Sequence, residues 1–189
     1  MEEDAPRFIN TIRKEASRLV TLIDDIIRLS QLDEGAEMPK EEVSLRVIAE
    51  EVSQNLADAA KLKDVSLEVT GDDGVMNGVH RLLYEVVYNL CDNAIKYNRE
   101  GGAVKVNIED MQDIVQLTVK DSGIGIPYEH QGKVFERFYR VDKSHSKQSG
   151  GTGLGLSIVK HAVQYHNGKI SVESELNKGT TVSVTFYKK

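Results

Sequence analysis

The sequence of 189 residues contains a single cysteine, which excludes structures that depend on cross-linked sulfur. Cys91 lies inside an apolar helical pattern, and one thiol can form neither a disulfide framework nor a thiolate metal cluster within one chain. This composition favours a reducing compartment such as the cytoplasm.

Long apolar runs are also missing. No stretch approaches the roughly 20 apolar residues of a membrane-spanning helix, and no charged-then-apolar leader opens the chain. We therefore expect a soluble domain with a smaller appendage. The net charge of −6 argues against a nucleic-acid partner, because a broad nucleic-acid surface needs clustered Lys and Arg. A small polyanion could still bind a local cationic patch.

The N-terminal segment 8–32 has apolar residues at the spacing of a coiled-coil seam. They are Ile9, Ile12, Ala16, Leu19, Ile23 and Ile26. This wide stripe predicts a long helix from a helical bundle, with a surface helix packed on its own domain as the alternative. We predict three parts: this helix at 1–34, a charged linker at 35–42 and the main domain at 43–189.

The main domain is predicted to mix helices with antiparallel strands. Helices are expected at about 45–61, 79–97 and 154–166, with a short helix near 129–135, and strands at 65–69, 103–109, 114–120, 169–174 and 180–187. Runs of helix and antiparallel strand, without strict alternation, indicate an α+β two-layer sandwich.

The helix at 79–97 has polar residues in register. Glu85, Asn89, Asn93 and Lys96 fall at i, i+4, i+8 and i+11, which places them on one stripe. A solvated helix face is the simpler interpretation. Asn is a poor helix former, however, so two asparagines a turn apart indicate a site, and their oxygens are suitable ligands for Mg²⁺.

Two glycine-rich segments could form the rest of a nucleotide site. In D-S-G-I-G-I at 121–126, the glycines permit close backbone approach to a ligand, and Asp121 could accept a hydrogen bond from an amino group. In G-G-T-G-L-G-L at 150–156, free backbone N–H groups precede a helix, which suits a phosphate. Neither the dinucleotide fingerprint nor a P-loop is present.

The segment 133–147 between the glycine loops is basic. Its cations are Lys133, Arg137, Arg140, Lys143 and Lys147. The segment contains only two acidic residues, so its net charge is positive. A positive charge is what we expect of a lid over phosphates.

The order of these motifs resembles the GHKL ATPase superfamily, and within it the sensor histidine kinases of two-component systems, of the PhoR and VicK type. The asparagine helix is similar to the N box, D-S-G-I-G-I to the G1 box, F-E-R-F-Y-R at 135–140 to the F box and G-T-G-L-G-L at 151–156 to the G2 box. Gly179-Thr180-Thr181 resembles a final, weaker glycine motif. The resemblance covers about 43–189 and implies the Bergerat ATP-binding fold.

The resemblance also implies roles for individual residues in binding ATP and Mg²⁺. Asn93 would ligate the metal, and Glu85 would act as general base toward the attacking histidine. Asp121 would accept from the adenine amino group, with Tyr97 beside the base. The other residues implied in nucleotide binding are Asn89, Lys96, Gly123, Gly125, Arg137, Arg140, Gly151, Thr152, Gly153, Leu154, Gly155 and Thr180.

The phosphoacceptor motif of such kinases, a His followed by Asp or Glu, is absent. The histidines are His80, His130, His145, His161 and His166, and none has an acidic successor. We expect all five to be surface or structural groups. Segment 8–32 resembles the second helix of the kinase dimerisation hairpin, so we expect a fragment that binds ATP·Mg²⁺ but does not phosphorylate itself.

The resemblance further implies partners: the histidine-bearing helix of a full-length kinase, a cognate response regulator and a second copy of the chain along the N-terminal helix. The parent protein would be anchored in the cell membrane with this part in the cytoplasm. Two alternatives remain at this point. One is another GHKL ATPase of the chaperone or mismatch-repair type, and the other is an interaction module with a vestigial nucleotide site.

Overall fold

The computed structural model describes residues 5–33, 37–141 and 152–188. Its first element is helix α1, Ala5–Asp33. None of the helices in these ranges combines the length and the apolar character needed to cross a membrane. A helix therefore lies where the sequence predicts one, and its part in a bundle stays a prediction.

Five of the strands form one sheet. The strands are β1 Glu41–Ser44, β2 Ser66–Gly71, β3 Val75–Gly78, β4 Ala103–Asp110, β5 Ile114–Asp121, β6 Lys169–Glu175 and β7 Gly179–Tyr187. The sheet order is β2-β4-β5-β7-β6, in which only the β2–β4 pair is parallel. Strands β1 and β3 form a separate antiparallel pair.

Three helices cover one face of the sheet. They are α2 Leu45–Leu62, α3 His80–Lys96 and α5 Gly155–Tyr165, and a short helix α4 spans Tyr128–Gln131. Alternate residues of β4 and β5 are buried beneath these helices and join one apolar core with them. The predicted α+β two-layer sandwich is confirmed.

The segment 35–42, which is predicted to be a linker, overlaps a strand at its C-terminal end. Residues 41 and 42 belong to β1, which pairs with β3, a strand that the sequence analysis did not predict. Upstream, the backbone N–H of Met38 donates a 2.9 Å hydrogen bond to the hydroxyl of Tyr165 on α5. Lys40 Nζ lies 5.4 Å from the centre of the same ring. The charged side chains of Lys40, Glu41 and Glu42 are exposed to solvent. The backbone of the segment nevertheless forms hydrogen bonds to the rest of the domain.

The short predicted helix at 129–135 is wrong in length. Helix α4 ends at Gln131, and the backbone continues in single turns such as Glu136 N–H to the carbonyl of Lys133, 2.9 Å. Gly132 follows immediately, and glycine is a poor helix former.

Helix α1 packs on α5 through one narrow stripe. Leu29 is buried with Leu154 and Ile158, and Leu22 packs against this small cluster. The apolar seam noted in the sequence faces elsewhere, and Ile9, Ile12 and Ile23 are each more than half exposed. The interpretation of α1 as a surface helix on its own domain therefore accounts for only one side of the helix.

Candidate functional site

The polar stripe of α3 is partly buried. Leu82, Val86 and Leu90 bury the apolar face of the helix in the core. This orientation leaves Glu85 only 7% exposed, with Oε1 3.4 Å from Nε of Arg81 one turn earlier.

Asn89 connects α3 to the second glycine segment. Its Nδ2 donates to the carbonyl of Glu85, 2.8 Å, which orients the side-chain oxygen toward α5. A Cβ added at Gly155 would lie 2.7 Å from Asn89 Oδ1. Because that distance is shorter than a normal contact, a side chain at position 155 would displace either the Asn89 amide or the start of α5.

Asp121 ends β5 and holds the first glycine loop. Its Oδ1 accepts hydrogen bonds from the N–H of Gly123, 2.8 Å, and of Thr180, 3.2 Å. Burial raises the pKa of the Asp121 carboxyl, and the two N–H donors act in the opposite direction. A half-buried carboxylate with one oxygen oriented by the backbone is well suited to recognise a hydrogen-bond donor.

The two glycines after Asp121 allow the loop to pass between neighbouring backbones. At Gly123 an added Cβ would lie 2.4 Å from the carbonyl oxygen of Tyr97, and at Gly125, with φ of +72°, 2.1 Å from that of Glu175. Between them, the N–H of Ile124 donates to the Tyr97 carbonyl, 3.0 Å. The loop is therefore anchored on the C-terminal end of α3.

The stripe, the first glycine loop and the start of α5 border one cavity of about 1420 Å³. The predicted site residues among its lining are Glu85, Asn89, Asn93, Lys96, Tyr97, Asp121, Gly125, Arg140, Thr152, Gly153, Gly155 and Thr180. The fold thus brings together residues that lie up to 95 positions apart in the chain, from Glu85 to Thr180.

Three of the described residues predicted for the site do not line the cavity. Gly123 does not line the cavity, although the next residue, Ile124, does, and the side chain of Leu154 is buried against Leu29 and Ile158. Arg137 points to α5, where its Nη2 lies 3.0 Å from Nε2 of His161. Gly151 lies outside the described residues, as do Lys143, Lys147 and His145.

The segment after α4 is tied to the second glycine turn. Phe138, with φ of +62°, donates its N–H to the carbonyl of Gly153, 3.0 Å. The hydroxyl of Tyr139 lies 2.6 Å from Nδ1 of His130. These contacts place Arg140 at the cavity, while its neighbour Phe138 is mostly exposed.

The structure adds residues that the sequence analysis missed. Asp25 of α1 accepts a 3.0 Å hydrogen bond from the hydroxyl of Thr152 and lines the cavity. Asp92, beside Asn93, also lines it, and burial raises the pKa of its carboxyl while Lys96 acts to lower it. Lys63, directly after α2, donates to the carbonyl of Lys96, and burial lowers the pKa of that amine. Only the position of Asp92 one residue from Asn93 was a signal available in the sequence.

Three histidines fill structural positions, as expected. His166 is buried, and its Nε2 accepts a 2.9 Å hydrogen bond from the N–H of Val79. The Nδ1 of His166 lies 2.8 Å from the carbonyl of Ala162. His161 contacts Arg137 and the carbonyl of Ser157, and His130 contacts Tyr139.

Residues 78–189, which include the whole cavity-lining part of α3 and everything after it, match the family described as histidine kinase-, DNA gyrase B-, and HSP90-like ATPase. The chain belongs to this family. Membership in an ATPase family implies that this domain binds ATP.

Curated relatives within the ATPase family are sensor histidine kinases. The sensor histidine kinase WalK of Bacillus subtilis is 36% identical over 192 residues, which cover 96% of this chain and 30% of WalK. The histidine protein kinase SaeS of Staphylococcus aureus is 35% identical over 179 residues, which cover 93% of this chain and 51% of SaeS. The chain therefore spans about a third to a half of these relatives.

Solved structures agree with this assignment. The catalytic domain of histidine kinase ThkA, in a nucleotide-free form, matches 80% of this chain and 97% of its own length with a TM-score of 0.70 and 29% identity. ThkA in complex with the response regulator protein TrrA matches 100% of this chain, α1 included, and 53% of its own length, with a TM-score of 0.78 and 27% identity. The comparisons favour the histidine-kinase catalytic domain over chaperone-type ATPases and over a vestigial module.

Proposed function

We propose that this chain binds ATP with Mg²⁺ and transfers the γ-phosphoryl group to a histidine outside these 189 residues, as the catalytic part of a sensor histidine kinase. The observation that carries the proposal is the single cavity where Asp121, the stripe of α3 and the start of α5 meet. One end of this cavity, the base end, suits a purine base, and the other, the phosphate end, suits a triphosphate.

The base end is formed around Asp121. Its carboxylate, oriented by Gly123 and Thr180, accepts from the amino group of adenine. Tyr97, which is 41% exposed and lines the cavity, offers a ring beside the base. Gly123 and Gly125 let the loop lie close enough to enclose the purine.

The phosphate end lies between α3 and the start of α5. Backbone N–H groups at the N-terminus of α5 and the side chains of Lys96 and Arg140 offset the phosphate charge. The donors here fit Mg²⁺, because the half-buried amide oxygen of Asn93 is a hard ligand and this metal usually takes few protein ligands. Asn93, with Asn89 nearby, would hold the metal, which supplies charge neutralisation at the phosphates.

Phosphoryl transfer needs a proton acceptor near the γ-phosphate. Glu85 lies one turn before Asn89 on the same stripe, and its burial shields the carboxylate from water. As the imidazole nitrogen forms its bond to phosphorus, the bond to the bridging oxygen breaks and ADP leaves. Glu85 takes the proton that the attacking imidazole gives up.

The partners follow from the relatives. We propose that the histidine lies on the dimerisation hairpin of a longer, membrane-anchored protein, with the catalytic part in the cytoplasm. The phosphohistidine would pass its group to a response regulator, in keeping with the ThkA–TrrA complex. The exposed seam of α1 would pair with a second copy of the chain.

Calorimetric titration of the chain with a non-hydrolysable ATP analogue tests the nucleotide site. We expect binding that strengthens with Mg²⁺, and an Asn93→Ala variant that binds the analogue but loses most of the magnesium effect. A titration without heat in the wild type would refute the proposal. An Asn93→Ala variant with the full magnesium effect would remove Asn93 as the ligand.

A second assay separates the kinase from other ATPases. Incubated with an isolated histidine-bearing hairpin and labelled ATP, the chain should transfer label to the hairpin in an acid-labile form. Rapid steady-state hydrolysis without labelled hairpin would instead favour an ATPase of the chaperone type.

A further inference from the structure

Ser174 on β6 joins the two walls of the base end through one hydroxyl. Its Oγ accepts from the N–H of Ile126, 2.7 Å, at the end of the first glycine loop. It donates to the carbonyl of Gly179, 2.9 Å, and lies 2.9 Å from Oγ1 of Thr180 at the start of β7. A serine hydroxyl has one hydrogen and two lone pairs, so these three contacts use its full capacity. The hydrogen goes to Gly179, and Thr180 donates its own.

Thr180 links Ser174 to the carboxylate that recognises the base. The side chain of Thr180 bonds Ser174, and its backbone N–H donates to Oδ1 of Asp121. Thr180 is therefore the one residue that connects Ser174 to Asp121. On the other wall, Ile126 directly follows Gly125, which lines the same cavity.

A glutamine from α4 reinforces the same junction. Nε2 of Gln131 donates to the carbonyl of Ile126, 2.9 Å, and to the carbonyl of Ser174, 2.7 Å. Both hydrogens of this amide nitrogen are thereby used. The end of the loop and strand β6 are thus joined by two polar side chains, Ser174 of β6 and Gln131 of α4.

We propose that Ser174 is a positioning residue for base selection, which holds the N–H of Thr180 and the first glycine loop so that Asp121 selects a 6-aminopurine. This inference rests on the proposed function, because it concerns the base of the same nucleotide. Loss of the hydroxyl leaves the Ile126 N–H and the Thr180 hydroxyl without their partner, and both groups border the path to Asp121.

If Ser174 only stabilised the β6–β7 hairpin, its substitution would change the affinity for every nucleotide by the same factor. The discriminating measurement is therefore the ratio of affinities for ADP and for inosine diphosphate, in which a carbonyl replaces the 6-amino group. Tripolyphosphate, which has no base, reports on the phosphate end alone.

The experiment compares wild type, Ser174→Ala and Ser171→Ala by calorimetry. Ser171 lies on the same strand and is exposed, so its variant is the matched control. We expect Ser174→Ala to bind ADP about tenfold more weakly, with inosine diphosphate and tripolyphosphate changed by less than about twofold. Ser171→Ala should match the wild type. An unchanged ratio of ADP to inosine diphosphate affinity in Ser174→Ala overturns the inference.

Thr180→Val covers the case in which Ser174→Ala does not fold. It removes the hydroxyl that donates to Ser174 but keeps the backbone N–H that donates to Asp121. We expect Thr180→Val to show the same reduced preference for ADP over inosine diphosphate, and the double variant to show no further reduction. A wild-type ratio in Thr180→Val contradicts it. If the wild type itself fails to bind ADP, the proposed function fails, which is a separate result.

Discussion

The hydroxyl of Thr152 donates a 3.0 Å hydrogen bond to Oδ2 of Asp25, which lies 127 positions earlier on α1. The same hydroxyl accepts from the N–H of Leu154 at 3.3 Å, one residue before α5 begins. Asp25 is 9% exposed, so this contact is largely shielded from water. A carboxylate of α1 therefore lies at the turn where we propose that phosphates bind.

Removal of the Asp25 charge should strengthen nucleotide binding. A carboxylate beside an anion site repels the phosphates, so Asp25→Ala and Asp25→Asn should each bind ADP·Mg²⁺ about two- to fivefold more tightly by calorimetry. Asp24→Ala, at an exposed neighbouring position, is the control and should bind like the wild type. Equal affinities in all four proteins would show that the carboxylate has no influence on the site.

A methyl group at Gly155 should disrupt the phosphate end. Its Cβ would lie 2.7 Å from Asn89 Oδ1, so either Asn89 or the start of α5 must move. We expect Gly155→Ala to weaken ADP·Mg²⁺ binding at least about tenfold. This is the effect of losing one hydrogen bond between a backbone N–H at the start of α5 and a phosphate oxygen. Gly132→Ala is the matched control, because an added Cβ there meets no atom within 4 Å. Similar binding by the two variants would argue against this packing.

Substitution of Glu85 should separate chemistry from binding. Glu85→Gln keeps the shape of the side chain but removes the proton acceptor, so transfer to a histidine-bearing hairpin should fall about 100-fold or more. The dissociation constant for ADP·Mg²⁺ should change by less than about twofold. Glu51→Gln, at an exposed glutamate that also borders the cavity, controls for loss of charge. Wild-type transfer rates in Glu85→Gln would exclude Glu85 as the base.

His166 should make the stability of the domain fall in mild acid. Burial lowers its pKa from the ordinary value of 6.5, with a smaller contribution from Lys40, while the contact with Ala162 acts to raise it. Below pH 6.5 the unfolded chain therefore binds a proton that the folded chain does not, and the free energy of unfolding decreases. The decrease ends once the pH is below the folded-state pKa.

Urea unfolding between pH 7.5 and 5 checks this effect. His166→Gln should be less stable at neutral pH by about 1–3 kcal/mol, because the Val79 N–H loses its acceptor. The same variant should show a shallower loss of stability with acid. Identical pH dependence in the two proteins would rule out His166 as the titrating group.

Most elements of the main domain were predictable because their residues repeat at short range. The 3.6-residue pattern of α3 and the two-residue alternation of β4 and β5 predicted these elements to within a residue or two. The same short-range pattern placed Glu85, Asn89 and Asn93 on one stripe, and all three line the cavity. Strand β1 escaped prediction because its four residues are too few to show a period.

Residues whose partners lie far along the chain could not be predicted in this way. Ser174 is one serine in an exposed-looking strand, Asp25 one acid on a charged helix and His166 one histidine near a helix end. Each acquires its importance from a partner far along the chain: Ile126 for Ser174, Thr152 for Asp25 and Val79 for His166.

The sequence alone determined the fold class, the order of the motifs and the chemical groups available to a nucleotide, because periodicity and motif spacing are properties of neighbouring residues. Only the tertiary structure decided which groups meet around the cavity and which side chains hold them there. Hydrogen bonds act over about 3 Å, and distances of that size between remote segments exist only after the sheet and helices have packed.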